Sequence, residues 1–139
     1  MSERAQEEIQ RLYTEYVFLR QVAEVLNRNL VLLNNLLAET RLTREVIKEI
    51  EKLPDSSEII VTISGPVFLK TRLLQKNVVL VNVGSDIIVE KSYNEALEYL
   101  ENREKSLETE LERTRNSYVQ VVNRMRQLER VLRELAEKR

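Results

Sequence analysis

Residues 9–37, IQRLYTEYVFLRQVAEVLNRNLVLLNNLL, place Ile9, Leu12, Tyr16, Leu19, Ala23, Leu26, Leu30, Leu33 and Leu37 at alternating steps of three and four. That spacing draws one apolar seam along an α-helix. A second grid near the carboxyl end, Leu97, Leu100, Leu107, Leu111, Tyr118, Val121, Met125, Leu128, Leu132 and Leu135, has the same character. The grids match when one is folded back on the other. Ile9 then meets Leu135, Leu12 meets Leu132, Leu19 meets Met125 and Leu33 meets Leu111. The spacing predicts a long antiparallel two-helix coiled-coil hairpin.

Working inward, helix one is expected over 1–53, because Pro54 restricts the residue before it and has no amide hydrogen to donate. Helix two is expected over 92–139, opening at Ser92, whose spacing to Glu95 fits a capping box. The segment 54–91 holds four runs rich in β-branched residues, Glu58–Ile63, Val67–Leu74, Val78–Val83 and Ile87–Lys91. Ser64-Gly65-Pro66, Gln75-Lys76-Asn77 and Gly84-Ser85-Asp86 separate them, all short and rich in turn formers. Two successive β-hairpins between the helices follow, in an α+β chain expected to form a single domain over 1–139.

Several of these strands are apolar on both faces: Val79, Val81 and Val83 alternate with Val78 and Leu80, and Ile59, Val61 and Ile63 with Ile60. A strand apolar on both sides needs a layer above and below, or a partner at its edge. One chain of this size supplies too little cover. The β segment is therefore expected to be an oligomerisation hub buried by copies of itself or by a related subunit. Its contact residues would be Ile59, Val61, Ile63, Val67, Phe68, Leu69, Val79, Val81, Val83, Ile87 and Val89. The competing arrangement packs the strands onto the base of their own helices.

The seam has defects and surplus. Thr40 would face Glu104 and Arg44 would face Leu100; a polar core residue lowers stability and fixes register, and Arg44 is placed to neutralise Glu104. A second stripe, Phe18, Val22, Val25, Leu32 and Leu36, interrupted by Asn29, either widens the packed face or is left over for binding. Helix ends fray at little cost, so apolar residues at the free ends are candidates to bind other chains. These are Ile9, Leu12, Tyr13 and Tyr16 from helix one, with Leu128, Val131, Leu132 and Leu135 from helix two. Arg124, Arg126, Arg130 and Arg133 flank them, either as a solvated face paired with Glu7, Glu8 or Glu15, or as contacts for acidic segments.

Composition narrows the function. With 32% charged residues and two glycines, the chain reads as long helices, and its formal charge of −1 offers no global field for nucleic acid or an anionic membrane. Charge is uneven, since residues 113–139 carry eight bases against three acids and 95–112 carry seven glutamates against two bases. No cysteine means no disulfide framework, which fits a reducing compartment. The amino-terminal residues are too charged for a signal peptide, and the apolar runs are far short of the ~20 residues of a membrane span. There is no histidine and no glycine-rich phosphate loop, so no catalytic residue, metal ligand or cofactor site is expected and the chain reads as a non-enzyme. Basic helix two lacks the aromatic company that nucleic-acid binding calls for.

Ile63-Ser64-Gly65-Pro66-Val67-Phe68-Leu69-Lys70, Val81-Asn82-Val83-Gly84 and Val89-Glu90-Lys91-Ser92 followed by Glu95-Ala96 resemble the archaeal prefoldin family, α-type subunit. Two hairpins between the helices, not one, point to the α-type. Thr71 and Asp86 stand where the family often has glycine, and Asp is among the residues that tolerate left-handed backbone. The resemblance implies an ATP-independent chaperone, a holdase without cofactor, in the cytoplasm. It implies two α-type and four β-type subunits joined through a β-barrel hub, unfolded client proteins gripped at the coiled-coil tips, and delivery to a group II chaperonin. The alternative is a structural or adaptor coiled coil, including a filament-forming prefoldin paralogue.

Overall fold

The computed structural model describes residues 2–74 and 77–138. The elements run α1 (Glu3–Glu51), β1 (Glu58–Ser64), β2 (Val67–Arg72), β3 (Val78–Asn82), β4 (Ile88–Ser92) and α2 (Tyr93–Glu137). The expected pair of long helices with two antiparallel hairpins between them is what forms. β1 pairs with β2 and β3 with β4, as separate two-stranded sheets. Gln75 and Lys76 of the expected second turn lie outside the described residues.

Element ends follow from local chemistry. Ser2 Oγ accepts the Ala5 amide at 3.2 Å, capping α1. At its other end α1 stops at Glu51, two residues short of the expected boundary. The Lys52 and Leu53 amides there bond to Glu49 and Ile50, three residues back, and tighten the chain ahead of Pro54. β4 runs directly into α2, so Ser92 closes the strand and caps the helix. Its Oγ accepts the Glu95 amide at 3.1 Å and donates to the Glu95 carboxylate at 3.2 Å.

The hairpin turns need left-handed backbone. Gly65 sits at φ +51° in the β1–β2 turn, where a side chain is disfavoured, and Ile63 bulges out of the ladder beside it. In the β3–β4 turn Asp86 adopts φ +59°, the conformation anticipated for it, and the Asn82 side chain accepts the Gly84 amide at 3.0 Å.

The chain divides into two compact units, Met1–Leu37 with Leu107–Arg139 and Ala38–Ser106. In the second, Ile47, Tyr93, Ala96 and Leu100 form a buried cluster against which Ile50, Val79, Val81, Leu97 and Tyr99 pack. One face of β3 therefore rests on the base of its own helices. Burial, with Glu51 and Asp55 nearby, pushes the Tyr93 hydroxyl above its ordinary pKa. Half-buried Glu104 accepts from Arg41 Nε at 2.9 Å and from the Arg44 guanidinium, so the polar defect expected near Thr40 is neutralised by two arginines. Chiefly through the Arg41 hydrogen bond, against some desolvation, they hold the Glu104 carboxyl below its ordinary range.

Ala96 is completely buried where α2 meets α1 and β3, leaving no room for a longer side chain. Ala96→Leu is expected to destabilise the fold by about 1–3 kcal/mol. A lowered thermal midpoint in far-ultraviolet circular dichroism checks this; an unchanged midpoint counts against the packing described.

Candidate functional site

The first unit contains the paired free ends of α1 and α2. Leu12, Ala23, Leu37, Leu111, Thr114 and Leu128 are buried there, with Leu128 only 1% exposed, so the seam is closed at this level. Polar contacts also bridge it. Arg124 forks onto Glu15, with Nε and Nη2 at 2.9 and 3.2 Å from the two carboxylate oxygens. Tyr16 Oη donates to the Glu129 carboxylate at 2.7 Å. The Arg124 fork lowers the Glu15 pKa below its ordinary value, Glu15 in turn raises that of Arg124, and the bond to Glu129 raises that of Tyr16.

Beside this seam lies a solvent-open cleft of about 380 Å³ lined by Tyr13, Tyr16, Glu129, Leu132 and Arg133. Of the eight candidate binding residues at the helix ends, Tyr13, Tyr16 and Leu132 are brought together in it. Leu12 and Leu128 face inward, and only opening of the seam would release them. Ile9 and Leu135 are half-buried, and Val131 is exposed without lining the cleft. Glu129 was not among the candidates. The register expected from the sequence, with Ile9 facing Leu135, also places Glu129 near Tyr16, which was the available signal. The second α1 stripe stays largely open, Phe18, Val25 and Leu32 being exposed and Val22 and Leu36 half-buried.

The strand candidates separate by face. Cross-strand register sets Val61 opposite Leu69 and Ile59 opposite Thr71 on one side of the first hairpin. Ile60 faces Lys70, and Thr62 faces Phe68, on the other. Within the chain Val61, Ile63, Val67, Phe68 and Leu69 are exposed and Ile59 is half-buried. In the second hairpin Val83, Ile87 and Val89 are exposed, whereas Val79 and Val81 take part in the cluster with Ile47 and Tyr93. The most open apolar residues there, Leu80 at 69% and Ile88 at 63%, were not among the candidates, and neither was Ile60 at 64%. Alternation marked both faces of each strand but could not say which one the helices would cover.

A helical hairpin carrying two uncovered β-hairpins is a specific combination, and a family model described as Prefoldin subunit matches residues 19–138. The chain belongs to the prefoldin family. A prefoldin subunit alpha of Thermofilum pendens is 39% identical over 124 residues, covering 89% of this chain and 96% of the relative. A prefoldin subunit alpha of Pyrococcus horikoshii is 33% identical over 132 residues, covering 94% and 89%. Among solved structures, filamentous prefoldin from Methanocaldococcus jannaschii superposes with a TM-score of 0.71 at 21% identity, covering 86% of this chain and 96% of that one. At that identity the match speaks for the fold. Prefoldin subunits are non-enzymatic chaperones, and prefoldin α subunits form hetero-oligomeric complexes. Among the described residues no helix is long and apolar enough to cross a membrane.

The Glu15–Arg124 fork is expected to make the helix pair acid-sensitive. A carboxylate whose folded pKa lies below the ordinary 4.5 contributes its stability above that value and loses it as pH falls through the folded value. Glu15→Gln should therefore destabilise the chain at neutral pH, with the gap to wild type closing as pH drops from about 4.5 downward. Thermal midpoints of the two proteins across that range measure it, and a gap independent of pH would show that the fork contributes nothing.

Proposed function

We propose that this chain is an α-type prefoldin subunit acting as an ATP-independent holdase, with the whole of 1–139 working as one prefoldin-like domain. Its β-hairpins join β-type subunits in a barrel hub, two α-type with four β-type. Its helix ends hold unfolded client proteins, which pass to a group II chaperonin in the cytoplasm. The observation that carries the reading is the uncovered apolar surface of the hairpins, where Ile60, Phe68, Leu80 and Ile88 have no cover within the chain. Such surface calls for a partner layer. Assembly would then place several helix tips on one particle, so that weak contacts at each become retention through multivalency.

Exposed Tyr13 and Val131, together with the cleft beside the seam, support the tip as the client-binding end. Release requires no nucleotide if the chaperonin competes for the client or for the tips. A filament-forming or purely structural role makes a different demand on the tips, because clients would be irrelevant to it.

Deleting about ten residues from each helix end should leave assembly with a β-type subunit intact, as read by native mass spectrometry, because the hairpins and the Ala96 cluster are untouched. The same deletion should abolish suppression of aggregation of a denatured test protein in light scattering. Undiminished suppression would overturn tip capture, and failure to co-assemble before any deletion would overturn the hub.

A further inference from the structure

We infer that the client-binding subsite is the cleft beside the seam, used with the seam closed, and that it selects an apolar or aromatic side chain with a carboxylate one or two residues away. The inference deepens the holdase reading and rests on it. Three observations carry it. First, the seam is fastened at the level where capture by fraying would need it open. Separating the helices there would expose Leu128, break the Glu15–Arg124 fork and release Tyr16 from Glu129.

Second, the cleft already has the walls of a side-chain pocket. Tyr13 and Tyr16 supply aromatic surface with few rotatable bonds, and Leu132 adds an aliphatic wall. Its volume of about 380 Å³ falls at the lower end of the roughly 300–1,000 Å³ range of binding pockets, and its open side admits an extended chain.

Third, the rim carries an excess of positive charge. The Glu129 carboxylate, which accepts the Tyr16 hydroxyl, sets one acid against Arg126, Arg130 and Arg133, which form no ion pair among the described residues. Steps of four and three put these arginines on one stripe of α2, and Arg133 is itself part of the cleft lining. A guanidinium beside an apolar pocket recognises a carboxylate next to the buried side chain. Arg124 is already committed to Glu15 and is not available for this.

The chain has no cysteine, so Ile9→Cys/Leu135→Cys, at positions that the register read from the sequence sets opposite each other, is used to introduce one bond across the seam, its formation checked by mass spectrometry. The full chain assembled with a β-type subunit is tested with two short fluorescent unstructured peptides, one containing Leu-Phe-Asp-Glu and one Leu-Phe-Lys-Lys. We expect the acidic peptide to bind about tenfold more tightly, a difference of about 1.4 kcal/mol, and the preference to shrink at high salt. Arg133→Gln should remove the preference, Arg133→Lys should restore part of it, and Tyr13→Ala should weaken both peptides alike. Oxidised and reduced forms of the double-cysteine variant should bind equally.

Equal affinity for the two peptides in the wild type overturns the charge selection. Loss of binding on oxidation, with circular dichroism unchanged, overturns the closed seam and returns capture to opened helix ends. In either case aggregation suppression by the wild type would leave the holdase reading standing. Absence of both peptide binding and suppression overturns the two together.

Discussion

Two helices can bury only the stripe along which they touch, and every apolar side chain beyond that stripe is left for something else to cover. Here the stripe is filled by Leu12, Ala23, Leu37, Leu111 and Leu128 in one unit and by Ile47, Ala96 and Leu100 in the other. Each fully buried aliphatic side chain contributes on the order of 1.5–3 kcal/mol, so the seam is the main source of helix stability. No third helix and no enclosing sheet are present among the described residues to take up the rest. Surplus apolar surface is a consequence of this architecture, and it collects on the hairpins, the outer α1 stripe and the helix ends.

The hairpin and helix-end collections differ in what adjoins them. On the hairpins the open faces are flat ladders with strand edges, which suit association with other strands. At the helix ends the apolar groups are fewer and line a cleft beside arginines, which suits an extended chain held weakly and released. Polar contacts separate the roles of the two units. Glu104 between Arg41 and Arg44 marks a position where an apolar pair would have been stronger but less selective of register. The Glu15–Arg124 fork and the Tyr16–Glu129 bond bridge the seam in the first unit, where the leucines are buried and the side cleft is open to solvent.

The helices, their antiparallel pairing, both hairpins and the Ser92 cap were legible in the sequence. Each depends on neighbours three, four or two residues away, and local spacing records such relations directly. The Glu104 defect was legible from the fold-back register, which set Glu104 opposite Thr40 and near Arg44, whereas the contribution of Arg41 was not read. Family membership was carried by the strand motifs, and matched relatives agree with it.

Residue chemistry and period thus determined which elements exist, that two helices share a seam and that the strands are apolar on both faces. Only the tertiary structure decided which of those faces the chain covers: Val79 and Val81 are taken up by the Tyr93–Ala96 cluster while Leu80 and Ile88 stay open. It also decided that Leu12 and Leu128 close inward and that Tyr13, Tyr16 and Leu132 meet Arg133 in a cleft. The physical reason is that exposure depends on the azimuth of each side chain about its helix or strand relative to a partner distant in the chain. Hydrophobicity read along the sequence reports that a residue seeks cover, not which neighbour provides it.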